Sequence, residues 1–265
     1  MEGEVHFKIS GQEATGTPSR ARRYTAFILD KLEFVGVSII VFVISYAVLN
    51  YQAIYAQMEY RFQEWRGVAN PLEDVANIST DADGNSGSAS LLNTVVVGSA
   101  KELSVPSLAL EVHPPDVRMV IPRIRKNVPV VGVGNENLIA RDWDGLEKDI
   151  QESLKDGVIH YPGTALPGEG GNVVLTGHSS YYAWDAGRFK DVFALLHEVE
   201  VADRVVMYFD QRKYVYEVFD KRVVLPSQID VLGQTRDDRL TLITCTPIGT
   251  NLKRLVLTAK LISVQ

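Results

Sequence analysis

An uncharged apolar stretch, Phe34–Tyr51, constrains this chain more than any other part of its sequence. At a rise of about 1.5 Å per residue, a helix of this length reaches roughly the thickness of the hydrocarbon core of a bilayer. The stretch lacks the polar face that a helix of a soluble protein normally shows. We therefore predict a membrane-spanning helix. A buried core helix is one alternative, and a signal peptide cleaved near the small residues Ala53 and Ala56 is another.

The charges around this stretch predict its orientation. Arg20, Arg22, Arg23 and Lys31 precede it, whereas no Lys or Arg follows it as far as Met58. Because positive charge accumulates on the cytoplasmic side of membrane helices, the N-terminus is expected in the cytoplasm and the rest of the chain outside. The sequence thus predicts a single-pass protein of the cell membrane.

Composition divides the chain into four parts. Residues 1–24 are polar and are predicted to be a disordered cytoplasmic tail. Residues 25–66, with the apolar core at 34–51, are predicted to form the membrane helix and a stalk. Residues 67–115 contain a Gly-, Ser- and Asp-rich centre and are predicted to be a flexible extracytoplasmic linker. Residues 116–265 are predicted to form a folded extracytoplasmic domain.

This last part has the sequence texture of a β-protein. Short β-branched runs alternate with turn residues, which predicts seven or eight strands and a closed or nearly closed barrel. One amphipathic helix is expected at Trp143–Lys155, where apolar residues recur every four positions. A second short helix is expected around Phe189–Leu196. The strands are predicted at Val117–Ile121, Val128–Val133, Asn172–Thr176, Arg204–Phe209, Tyr214–Val224, Leu240–Thr244 and Arg254–Val264.

Charge and motif counts exclude some classes of function. The chain has 27 Lys and Arg against 33 Asp and Glu, which gives a net charge of −6. Without clustered positive charge there is no basis for predicting a nucleic-acid partner. No EF-hand-like spacing of carboxylates is present, so no required metal is predicted.

The single cysteine, Cys245, ends a strand-like run and cannot form an internal disulfide. It is either a small buried hydrophobe or a reactive thiol. A thiol that attacks a carbonyl needs an imidazole to take its proton and a donor to stabilise the oxyanion. His178, after the strand-like run that ends in Gly177, and Arg254, at the head of the next run, are the candidates. His160 is expected to be structural or to lie at the rim of the site.

Several sequence blocks, covering about 150 residues, resemble the sortases, a family of membrane-anchored cysteine transpeptidases. The blocks occur in the family's order, and the texture is closest to the class D and E type. They are Met119–Ile124, Gly157–Gly168, Gly171–His178, the Thr241–Cys245 signature and Arg254–Leu257.

The resemblance implies a fold and a set of site residues. The fold would be mainly β, a closed seven- to eight-stranded barrel with short helices. Cys245 would be the nucleophile, His178 the general acid and base, and Arg254 the cation that binds substrate and steadies the oxyanion. Thr244 and Thr246 would support the oxyanion site and the substrate groove. No cofactor is implied.

The resemblance also implies a reaction and its partners. The enzyme would cleave a C-terminal LPxTG-like sorting signal of a surface protein between Thr and Gly or Ala, and form a thioester. An amine of a peptidoglycan precursor or a pilin lysine would then resolve it, while the N-terminal helix sits in the lipid bilayer. Two alternatives are an L,D-transpeptidase that cross-links peptidoglycan and a membrane-tethered barrel that binds surface proteins without processing them.

Overall fold

The computed structural model describes residues 20–77, 114–182 and 184–265. These residues belong to two compact units, divided between Val48 and Leu49. The predictions made for residues 1–19 and 78–113 lie outside the described residues. One helix, α1, runs from Arg20 to Leu49 and supplies all the described residues of the first unit. Its part from Lys31 to Leu49 has a mean hydropathy of 2.4, and it is long and apolar enough to cross a membrane.

Among the residues described in the second unit, there are three further α-helices and eight strands. The helices are α2 (Tyr51–Trp65), α3 (Glu136–Ala140) and α4 (Trp143–Ser153). The strands are β1 (Arg118–Ile121), β2 (Lys126–Gly132), β3 (Val158–His160), β4 (Asn172–Thr176), β5 (Arg204–Phe209), β6 (Arg212–Val224), β7 (Arg239–Thr246) and β8 (Lys253–Val264).

The eight strands close into one barrel in the order β1-β2-β3-β4-β7-β8-β6-β5. Two neighbouring pairs, β2 with β3 and β4 with β7, are parallel, and the other pairs are antiparallel. The predicted closed barrel of seven or eight strands is therefore confirmed. The strand that sequence did not predict is β3, because three residues are too short to show an alternation of apolar and polar side chains.

Strand β7 is buried on both of its faces, which sets the environment of the residues at its end. Leu240 and Leu242 point into the barrel and belong to its main apolar core. On the opposite face, Ile243 packs in a second cluster with Val174 and Val256. A side chain two residues beyond Ile243 lies on the same outer face. The end of β7 therefore presents Cys245 above an apolar floor outside the barrel.

The amphipathic helix predicted at Trp143–Lys155 is confirmed as α4. The side chain of Asp142 caps its start by accepting a 3.0 Å hydrogen bond from the Gly145 amide. Its apolar stripe, Leu146, Ile150 and Leu154, is buried against Ile159 of β3. The stripe fixes which face of α4 is turned toward the barrel.

The prediction of a second helix around Phe189–Leu196 is wrong, because no α-helix forms there. The structure has turns there, followed by a short 3₁₀ helix at Leu196–Glu198. The Phe193 amide donates to the carbonyl of His178 at 2.9 Å, so it is not available for a helical ladder. Phe193 is buried all the same, as the apolar pattern required.

Helix α2 is part of the folded unit and is not a solvated stalk. Tyr60 is only 8% exposed and joins the main core cluster. Ala53 on the same helix is fully buried. At the helix surface, Arg61 forms an ion pair with Glu198 at 2.7 Å. The face of α2 that carries these residues is covered by the barrel and its connections.

The segment that follows α2 also lies on the barrel. The Asn70 side chain donates to the Pro122 carbonyl at 2.7 Å, and Arg204 donates to the Ala76 carbonyl at 3.0 Å. Ala76, with the neighbouring apolar residues, packs against Val120 and against the adjoining strands. The first eleven residues of the stretch predicted to be a linker, 67–77, are thus docked.

We expect Tyr60→Ala to destabilise the protein by about 3 kcal/mol, because removing a buried aromatic ring loses its burial and leaves a cavity. For a unit of this size, that loss lowers Tm by about 6 °C or more. Thermal unfolding of the full chain in detergent measures it. Tyr55→Ala on the same helix, where the side chain is 65% exposed, is the matched control and should change stability by less than about 0.5 kcal/mol. Equal shifts in the two variants would contradict the docking of α2.

Candidate functional site

Strand pairing brings the three sequence-predicted residues to one edge of the barrel. In the parallel pair of β4 and β7, Thr176 lies beside Ile243, so both strands end at the same edge of the sheet. His178 follows two residues after the end of β4. In the antiparallel pair of β7 and β8, Cys245 lies directly opposite Arg254.

These residues line one groove with a volume of about 380 Å³. His178, Thr244, Cys245 and Arg254 all contribute to its wall. One side is formed by apolar residues of the end of β6 and the connection to β7, which are Val224, Leu225, Pro226, Ile229, Val231 and Leu232. An apolar wall beside a few convergent polar groups is the usual construction of a binding site for small molecules and peptides.

The groove wall also includes residues that the sequence did not mark as site residues. These are Glu147 and Gln151 of α4, together with Tyr161 after β3. The Gln151 side chain donates to Glu147 at 2.8 Å. No sequence signal marked them, because polar residues opposite the apolar stripe of a helix are normally solvated.

Thr244 ties the two strand ends together. Its hydroxyl donates to the Gly177 carbonyl at 2.8 Å, and both groups are buried. The Gly177 amide in turn donates to the Ile243 carbonyl at 3.2 Å. These two bonds fix the residue before Cys245 against the residue before His178. Thr246, the other residue predicted to support the groove, pairs with Lys253 at the end of β7 and is not on the groove wall.

The Arg254 guanidinium is anchored by backbone oxygens. Its Nη1 donates to the carbonyl of Asn251 at 3.0 Å and to that of Lys253 at 3.2 Å. Both of these hydrogen bonds, which are formed with described residues, use Nη1 of Arg254. An arginine held through one nitrogen can still present its planar fork of N–H donors to a carbonyl oxygen.

The connection between β7 and β8 is fixed to the loop after His178. It begins with a cis peptide bond between Thr246 and Pro247. The Gly249 amide donates to the Ser180 hydroxyl at 2.9 Å. Gly249 has a φ of +78°, and a Cβ there would lie 2.5 Å from Oδ1 of Asn50, so the position requires glycine.

His178 is half-buried, and its electrostatic environment is distinctive. Removal from water, which disfavours the charged ring, lowers the pKa of His178 to about 4, while the nearby Asp185 carboxylate raises it. The imidazole is therefore neutral at neutral pH and able to accept a proton. A neutral base beside a thiol is what nucleophilic catalysis requires.

The other two histidines that the structure describes, His160 and His197, do not line this groove. His160 contacts the Ala165 carbonyl at 2.9 Å and the Thr164 hydroxyl at 3.1 Å through Nε2, in the structural position that its sequence context predicted. His197 lies in the 3₁₀ helix with Nε2 3.3 Å from Glu198. His6 and His113 lie outside the described residues.

A larger cavity elsewhere is lined by neither the thiol nor a histidine. Its volume is about 640 Å³, and its lining includes Tyr60, Arg123, Arg125 and Arg204 but no residue of the groove. Neither Cys245 nor any histidine contributes to it. In the described part of the chain, no group of three or more His, Cys, Asp or Glu side chains is arranged to hold a metal ion.

Sequence comparisons show which known proteins this chain resembles. The profile of the Sortase domain family matches residues 119–262, more than half of the chain. Sortase D of Bacillus subtilis strain 168 is 27% identical over 144 residues, which cover 53% of this chain and 60% of that protein. Sortase A of Bacillus anthracis is 24% identical over 157 residues, or 59% of this chain and 71% of that protein.

Among solved structures, sortase C-1 from Actinomyces oris is 31% identical to this chain. The match covers 56% of this chain and 73% of that one, with a TM-score of 0.44. The match to a sortase D fits the class D part of the sequence-based expectation.

We expect the ring of His178 to titrate with a pKa near 4, well below the ordinary value of about 6.5. Because the folded state then binds fewer protons than the unfolded state between those pH values, the stability present above about pH 6.5 is lost as pH falls to about 4. The free energy of unfolding of the wild type should fall by about 2 to 3 kcal/mol more over this interval than that of His178→Gln. Ring proton shifts in NMR and unfolding at several pH values measure the two effects. A ring that titrates near pH 6.5 would contradict this account of its burial.

Proposed function

This chain belongs to the sortase family, and on that premise we propose that it is a membrane-anchored cysteine transpeptidase in which Cys245, His178 and Arg254 carry the reaction. The observation that carries the proposal is the pairing of Cys245 with Arg254 across β7 and β8, in the groove that His178 also lines. A thiol, a neutral imidazole and a guanidinium at one edge of a barrel supply a nucleophile, a base and an oxyanion donor.

In the first half-reaction, Sγ of Cys245 attacks the carbonyl carbon of the peptide to be cut, and His178 takes the thiol proton. The new S–C bond gives a tetrahedral oxyanion, which an N–H of Arg254 stabilises. The imidazolium of His178 then gives its proton to the leaving nitrogen as the C–N bond breaks. A thioester on Cys245 and a free amine fragment result.

In the second half-reaction, the nitrogen of an incoming amine attacks the thioester carbon and His178 accepts its proton. Collapse of the intermediate forms the new amide and releases the Cys245 sulfur, which recovers its proton from His178. The thioester stores the acyl-transfer energy, so the proposal includes no cofactor and no metal.

The apolar wall of the groove supports a substrate with apolar residues ahead of the cleaved bond. Val224, Leu225, Pro226 and Ile229 line the groove, and in this proposal they pack against the Leu and Pro of an LPxTG-like sorting signal. We assign cleavage between Thr and Gly or Ala, with a peptidoglycan precursor or a pilin lysine as the acceptor amine. The partner proteins are surface proteins that carry such a signal at the C-terminus.

The apolar helix α1 supports a location at the cell membrane. Its segment Lys31–Leu49 would cross the bilayer once. The positive charges precede this segment, which favours a cytoplasmic N-terminus and an extracytoplasmic barrel at residues 116–265. A membrane-held enzyme and a membrane-held sorting signal meet at a raised effective concentration.

Incubation with a mixture of LPxTG-, LPxTA- and LAxTG-like peptides tests the proposal. We expect intact-protein mass spectrometry of the full chain in detergent to show a thioester adduct on Cys245, which a glycine-derived amine converts to an amide product. Cys245→Ala should give neither adduct nor product. A folded protein with an alkylatable thiol and no adduct from any of the peptides would overturn this substrate assignment and favour the non-catalytic binding module.

We expect Arg254→Lys to lower kcat/KM by about a hundredfold or more, although the charge is kept, because a lysine cannot reproduce the planar fork. Lys253→Gln, next to it on β8 but not on the groove wall, is the matched control and should retain activity within about twofold. Steady-state peptide cleavage measures both variants. Similar losses in the two would show that general surface charge, and not the placement of Arg254, matters.

A further inference from the structure

The ring of Tyr181 covers the imidazole of His178. The two ring centroids are 4.4 Å apart and the planes are inclined by 26°, which is a stacked arrangement. The residue before the histidine, Gly177, lies against Phe193, which is buried. The backbone that carries the imidazole is thus packed, and the imidazole itself is stacked on an aromatic ring.

The Asp185 carboxylate lies near these two rings. Burial raises the pKa of Tyr181, and the negative charge of Asp185 raises it further. The Asp185 carboxylate accepts from the Ala186 amide at 2.7 Å, and the Asp185 amide donates to the Tyr182 carbonyl at 3.2 Å. The negative charge is therefore fixed in a turn a few residues after His178.

The end of α4 is the other charged element that packs against this turn. The positive charge of Lys155 interacts electrostatically with Tyr181 and Asp185. Lys155 also forms an ion pair with Glu152 at 2.6 Å. Its carbonyl accepts a hydrogen bond from the Arg188 amide at 3.2 Å, which anchors the end of the turn. Cys245 and Arg254 face the histidine from the groove.

We propose that Tyr181 and Asp185 are a positioning pair for His178: the tyrosine ring fixes the imidazole plane, and the aspartate stabilises the imidazolium that forms in each proton transfer. The proposal rests on the transpeptidase function proposed above. Neither residue touches the reacting atoms, and both act through the histidine.

The free-energy cost of charging a buried imidazole explains how Tyr181 and Asp185 would assist His178. Burial opposes the charged ring and lowers the pKa of His178, and Asp185 is the charge that acts in the opposite direction. The imidazolium has to exist long enough to protonate the leaving amine. A fixed carboxylate close to the ring offsets part of the desolvation cost without displacing the ring from the groove.

The test compares three variants of the full chain in detergent. Asp185→Asn keeps the shape and removes the charge, Tyr181→Phe keeps the stack and removes the hydroxyl, and Tyr181→Leu removes the stack. Asp144→Asn, at an exposed position in the first turn of α4, is the control for loss of one carboxylate. Circular dichroism establishes that each variant is folded.

For Asp185→Asn, we expect the pKa of His178, measured by NMR without substrate, to move further down. We expect kcat for peptide cleavage to fall about three- to tenfold, with KM changed less than about twofold. Tyr181→Phe should lose less activity than Tyr181→Leu, because it preserves the stack. Asp144→Asn should change neither the pKa nor kcat.

An unchanged or raised pKa of His178 in folded Asp185→Asn would overturn the proposal, as would full activity in Tyr181→Leu. Because the NMR titration requires no turnover, it separates this proposal from the proposed function. A wild type that forms no thioester would count against the transpeptidase, whereas the histidine titration would still decide whether the pair acts on the ring.

Discussion

The parallel pairing of β4 with β7 is the constraint on which the site depends. It aligns Thr176 with Ile243 and sends both strands out of the sheet at the same edge. His178 and Cys245 are 67 residues apart in the sequence, and this pairing brings them to one groove. The antiparallel return of β8 adds Arg254 opposite the cysteine. A slip of one residue in either register would turn these side chains toward the wrong face.

The groove combines two demands that oppose each other. A site that excludes water strengthens the interaction of an oxyanion with its donors, but it also penalises a charged imidazole. The structure meets the first demand with the apolar floor around Ile243 and Val256. The second demand is met only in part, because burial lowers the pKa of His178 to about 4 while the nearby Asp185 carboxylate acts in the opposite direction. The Tyr181 ring stacks on the imidazole at the same place.

Sequence reasoning succeeded where the pattern was local and strong. The β-branched runs predicted seven of the eight strands, and the four-residue recurrence predicted α4. The resemblance to sortases, which the family match confirms, also pointed to four residues of the groove wall, whereas Thr246, the fifth, is not on it. It did not predict the docking of α2, because an amphipathic helix after a membrane segment gives the same pattern whether it is solvated or packed.

Other features depend on contacts that a single sequence does not contain. Ala202 has a φ of +76°, in the region that favours glycine, and no sequence pattern predicted this conformation for an alanine. Neither the stack of Tyr181 on His178 nor the position of Asp185 near the imidazole was predicted, since both depend on a turn that only the fold defines.

The docking of 51–77 on the barrel changes what counts as one folding unit. Val120 is covered from outside by a patch around Ala76, and Tyr60 completes the interior from α2. Residues 78–113 therefore connect two parts of the same packed body. A protease cut within them would leave two chain fragments joined by burial instead of by a peptide bond. A recombinant fragment that starts after this stretch would expose the surfaces that 51–77 normally covers.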